Sequence, residues 1–153
     1  MASNVTNRET VRDAFYALLN TALVGEGKPA QVGYNYLKAD FQGQSPVFAV
    51  SSGGRWPSLE AVQSRAKSEV YINLYLFALY SEQGGAYQED DAEDALDALE
   101  KAAVDVIIDN ICVPGSWHQI EYVQPSEPSL IESLGGDTYK REVIQLRFRL
   151  SDN

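Results

Sequence analysis

Apolar positions along this chain change period several times, and each change marks an element. Val11, Ala14, Phe15, Leu18, Leu19 and Ala22 recur at helical spacing, which predicts a helix over 7–23. Ahead of them Thr6-Asn7-Arg8-Glu9 has the spacing of a capping box, and Gly25, Gly27 and Pro29 close the segment. A second helical stripe is longer. Ala92, Ala95, Leu96, Leu99, Ala102, Ala103, Val106 and Ile107 predict a helix over 89–111, stopped by Pro114 and Gly115. Glu89, Asp90, Asp91, Glu93 and Asp94 in its first turns complement the positive end of the helix dipole.

Between and after these helices the period falls to two or vanishes. Segments 31–37 and 46–51 read as short strands, with Gly43 between them predicting a hairpin with a long loop. The run from Val70 to Tyr80 is a strand (68–80) that is apolar at both odd and even positions, so both its faces call for cover. Trp117 to Val123 reads as a strand, followed by an irregular connection containing Pro125 and Pro128. In the last strand, 139–150, Ile144, Leu146, Phe148 and Leu150 alternate with Gln145, Arg147 and Arg149, the pattern of a half-exposed strand. The stretch 51–57 reads as turns, and Ser58-Leu59-Glu60-Ala61 as a brief helical turn. The order α-β-β-β-α-β-β predicts an α+β fold: a mainly antiparallel sheet with two principal helices packed on it. No repeat or low-complexity segment divides residues 1–153, which read as one domain of ordinary size.

Charge changes the picture next. Twelve Lys and Arg stand against 22 Asp and Glu, a net charge of −10. Such a surface repels nucleic-acid backbones and anionic lipid. No apolar run approaches the roughly 18 residues of a membrane span, and the first eight residues lack the apolar core of a signal peptide. The expectation is a cytoplasmic protein with no membrane contact.

Candidate chemistry is sparse. Cys112 is the sole cysteine, which rules out an intramolecular disulfide and a cysteine-based zinc site, and its place at the end of an apolar stripe predicts a buried, inert thiol. His118 is the sole histidine, and no serine sits in a Gly-x-Ser-x-Gly elbow to pair with it, so a structural place beside Trp117 is the expectation. The carboxylates at 90–97 lack the alternating ligands and central glycine of a calcium loop and read as a solvated helix face. The Gly pairs at 53–54, 84–85 and 135–136 fit turns, not phosphate cradles. No cofactor is expected, and no enzyme activity.

Surface patterning points to contact with a partner. The outer side of helix 89–111 is acidic at first and then turns apolar at Val104, Ile108 and Ile111, so cover is expected there from segment 112–135 or from a partner. Arg55 and Trp56 lie on a Gly-rich loop and are of the residue types that anchor interfaces. Arg141, Arg147 and Arg149 share one face of the last strand, placed for salt bridges with acidic neighbours in this chain or another. Tyr71, Tyr75 and Phe77 form the aromatic side of strand 68–80.

In this order of elements (amphipathic helix 7–23, a meander ending in 68–80, the long helix 89–111 and closing strands 117–123 and 139–150) the chain resembles the tail terminator, or tail completion, family of long-tailed bacteriophages. The resemblance spans nearly the whole chain and is architectural, with no functional residue to carry over. It implies a non-catalytic virion protein that forms a ring, usually hexameric, at the head–tail junction. Its partners would be the tail tube protein and a head connector or neck protein, with DNA passing through the channel without specific binding. Assembly would occur in the host cytoplasm. Tyr71, Tyr75 and Phe77, or Val104 and Ile108, would then meet a neighbouring subunit. A competing expectation is a small acidic protein that mimics DNA and inhibits nucleic-acid enzymes through the row from Asp90 to Asp97. An enzyme built on His118 and helix carboxylates is the least favoured alternative.

Overall fold

A computed structural model describes residues 8–53, 69–80, 89–124, 129–132 and 137–150. The elements run α1 (Arg8–Leu23), β1 (Val32–Tyr34), β2 (Val47–Ser52), β3 (Glu69–Tyr80), α2 (Glu89–Asp109), β4 (Gln119–Gln124), β5 (Ser129–Glu132) and β6 (Thr138–Arg149). The fold is α+β, with two helices on a mostly antiparallel sheet, as the patterning predicts. The strand order is β1-β2-β3-β6-β4, and β5 shares with β4 the outer edge of β6. The connection expected to be irregular after β4 thus contains a short strand. Its backbone amides pair with the first half of β6, while β4 pairs with the second half.

The helices take one face. α1 lies over β1, β2 and β3, and α2 over β3 and β6. Val11, Phe15, Leu19 and Leu23 from α1, and Ala92, Leu96, Leu99, Ala103 and Ile107 from α2, bury against the even positions of β3 and β6. Each large aliphatic buried there contributes on the order of 1.5–3 kcal/mol through lost apolar surface. Trp117 closes this core beyond the end of α2. Its ring meets Phe148 edge-on at 5.0 Å and Phe15 at 6.3 Å, and its Nε1–H donates to the Asn110 carbonyl at 2.8 Å. That bond satisfies one carbonyl at the helix C-terminus that has no intrahelical donor.

The β1–β2 pair overturns one expectation. The two strands are parallel, with Val32 opposite Val47, where a hairpin would be antiparallel. A parallel pair needs a long crossing connection. Residues 35–46 provide it by passing over the second face of the sheet, where Phe41 packs with Val47, Ala49, Phe77 and Tyr139 in a separate buried cluster. Ser45 anchors the return: its Oγ accepts the Leu79 amide at 2.8 Å and its own amide donates to Gln31 Oε1 at 2.8 Å. The Ser45–Pro46 peptide is cis, and the turn at Gln42-Gly43 has positive φ at both residues.

Candidate interaction surface

Three regions could meet a partner: the aromatic side of β3, the arginines of β6, and the sheet margins. The aromatic side is largely spoken for within the chain. Phe77 is 1% exposed beneath Phe41, and Tyr71 is 6% exposed. The 35–46 crossover covers Phe77, and Tyr71 is buried and hydrogen-bonded to Arg147, so neither ring is presented at the surface of the single chain. Tyr75 remains half-buried, stacked on Phe77 at 6.2 Å.

The arginines also find their partners at home. β3, β6 and β4 lie side by side, with Tyr71 opposite Arg147 and Arg147 opposite Glu121. The Arg147 guanidinium donates to the Glu121 carboxylate and is hydrogen-bonded to Tyr71. Arg149 lies 3.6 Å from Glu69 and 3.7 Å from Glu121. The hydrogen bond from Arg147 holds the Glu121 carboxyl below its ordinary pKa. Of the two possibilities, acidic neighbours in this chain or in another, the former is realised: three strands are laced by ion pairs across one half of the second face. Arg141, by contrast, has no ion-pair partner among the described residues, and its Nε is buried without a hydrogen bond.

The sheet margins are different. Among the described residues the exposed large apolar side chains are Tyr36, Leu37, Ile108, Ile111, Tyr122 and Val123. They occupy two places. Tyr36 and Leu37 continue directly from β1, the first strand of the sheet path, and Tyr36 meets the Tyr34 ring edge-on at 5.9 Å. Lys38 follows, its Nζ 4.7 Å from the centroid of the Tyr34 ring.

Tyr122 and Val123 belong to β4, the last strand of that path, at a register shift that places two β4 residues against one step of β6. Ile108 comes from the flank of α2 that faces this side of the sheet, where Glu100 lies near Tyr122, and Ile111 follows two residues past the helix end. The same flank pairs Glu93 with Lys140 of β6. Further along it, partial burial and then the carboxylates of Glu100 and Glu142 push the Tyr122 phenol up from its ordinary pKa. Val104, on this flank, is half-buried, whereas Ile108 is 60% exposed. Among the described residues, segment 112–124 does not cover this flank, because α2 ends at Asp109 and the chain turns under it through Trp117 to reach the sheet edge. Cys112 is exposed in that turn, contrary to the buried position expected of it, because it falls beyond the helical stripe. His118 is exposed too, its amide donating to the Arg149 carbonyl at 2.7 Å.

Arg55, Trp56 and the turn at 58–61 lie outside the described residues. No group of three His, Cys, Asp or Glu side chains that could hold a metal occurs among the described residues, and no described helix is long and apolar enough to cross a membrane. The apolar β4–α2 margin was half legible: Val104, Ile108 and Ile111 broke the polar face of a helix, but Tyr122, like Tyr36 and Leu37 at the other margin, carries no periodic signal. Set against known proteins, the chain matches no protein-family model and no curated protein.

Proposed function

We propose that this protein is a phage structural component of the tail-terminator kind: a non-catalytic subunit of a ring that caps the tail tube and joins it to the head connector. The observation that carries this reading is the layout of the fold. Two helices cover one face of a mainly antiparallel sheet in the element order α-β-β-β-α-β-β, with one short strand added before the last. That is the order on which the resemblance rests. The charge of −10 fits the reading, since copies of it around a channel give a negative wall past which DNA slides without sticking.

Electron microscopy of tails assembled with and without this protein tests the role. Tubes of uniform length ending in a ring are expected with it, and overlong, uncapped tubes without it. Tubes of the same length in both preparations overturn the reading. The acidic-mimic alternative has exposed Asp91, Asp94 and Asp97 on α2 in its favour. It predicts instead salt-sensitive capture of a basic enzyme by a chain that builds no ring.

A further inference from the structure

We infer that the two apolar margins of the sheet are the two halves of one contact, so that the Tyr36–Leu37 tip of one copy docks on the β4–α2 margin of the next. Every exposed large apolar side chain among the described residues lies at one margin or the other. Exposed patches of this kind mark binding sites more often than single scattered residues do. The two patches sit at opposite ends of the strand path β1-β2-β3-β6-β4, so one molecule cannot bring its own halves together. A second copy can.

Charge supports the same occupant. Lys38 stands next to Leu37 at the tip, and its position over the Tyr34 ring holds it there. The receiving flank is acidic: Asp97 and Glu100 stand there at helical spacing with Val104 and Ile108, and Lys101 beside them is already paired with Asp105 at 3.1 Å. Asp40 near the tip, whose carboxylate accepts the Gln42 amide within its own loop, reduces this complementarity. A β4 edge free of partners among the described residues lies beside the apolar patch, so main-chain pairing can extend the contact.

A contact between two different patches is heterologous. Repeated around a rotation axis it closes a ring, and without closure it runs on as a filament. The inference rests on the ring reading only for closure; the contact itself is separable from it.

Leu37→Asp and Ile108→Asp each disable one half, and both positions are exposed enough that circular dichroism should report an unchanged fold. Analytical ultracentrifugation is expected to find the wild type associated and each variant weakened by at least about tenfold. Mixing the two variants is the decisive arm. Each keeps the half that the other lost, so the mixture should give one-to-one pairs and nothing larger. Lys38→Glu should weaken wild-type association and reduce its dependence on salt. If the wild type forms rings and both variants do as well, this contact is wrong while the ring reading stands. If Ile108→Asp alone abolishes association and Leu37→Asp leaves it intact, the contact is two-fold and the inference fails. A wild type that stays monomeric at every concentration overturns it outright.

Discussion

The ring of Phe41 rests on that of Phe77 with centroids 4.5 Å apart, so a loop residue occupies the place that the strand pattern offers to a neighbouring subunit. Tyr139 and Phe77 complete the contact with edge-on geometry at 6.2 Å. The 35–46 crossover is therefore part of the core as well as a connection. Phe41→Ala removes a side chain only 2% exposed and should cost about 3 kcal/mol or somewhat more. Chemical denaturation measures the loss, and binding of a hydrophobic dye should rise as Phe77 and Tyr75 come open.

Gly33 on β1 lies beneath the ring of Phe48, and a Cβ at that position would overlap the ring. Phe48 is fully buried and tilted against Tyr16 at 5.8 Å, while the Tyr16 hydroxyl donates to the Gly33 carbonyl at 3.1 Å. The ring has nowhere to retreat. Gly33→Ala should therefore destabilise the protein by about 1–3 kcal/mol, the usual cost of overpacking. A melting temperature equal to that of the wild type would show that β1 can shift to accept the methyl group.

Glu121 ties the β4 edge strand to β6, and its carboxyl is held below the ordinary value chiefly by the hydrogen bond from Arg147. A depressed folded-state pKa means that the associated stability is present above the ordinary value of 4.5 and is lost as pH falls through the folded value. Glu121→Gln should remove that portion of the acid limb and accelerate hydrogen exchange of the β4 amides paired with β6. Exchange along β3 should be unchanged. Equal acid limbs for the two proteins would remove Glu121 from the account.

Tyr139 behaves in the opposite sense. Its ring is fully buried, its hydroxyl donates to the Gln44 carbonyl at 3.0 Å, and burial first, then the Asp137 carboxylate, push its pKa up to about 12. A raised value for an acid that is neutral when protonated leaves stability intact below the ordinary value of 10.0. From there to about 12 the unfolded chain ionises more readily, and stability falls. Tyr139→Phe should flatten that alkaline decline and cost about 1 kcal/mol at neutral pH from the lost hydrogen bond. Spectrophotometric titration of tyrosine at high pH provides the direct check.

These sites also mark where the sequence was legible. The α2 stripe from Ala92 to Ile107 repeats with the helical period, and the alternation from Ile144 to Leu150 repeats with the strand period, so both elements and their buried faces could be read directly. The crossover could not. Gly43 signals a turn equally well in a hairpin and in a parallel connection, and Phe41 stands alone without any period. Which strand it covers depends on where the loop goes, and that is set by distant partners such as Phe77 and Tyr139. The exposed flank at Ile108 was legible for the same reason as the core stripe: an apolar residue on the polar side of a helix violates the period. Its counterpart at Tyr36 and Leu37 lies on a loop, where no period exists to violate.

The central claim is that this chain closes into a ring through its two sheet margins. Light scattering on the purified wild-type protein, alone and beside the tail tube protein, tests it most directly. The account predicts a discrete species at a fixed multiple of the 16.9 kDa chain mass, six-fold for the expected hexamer, which Leu37→Asp reduces to single chains. A particle of 16.9 kDa at every concentration, with and without the tube protein, would contradict it.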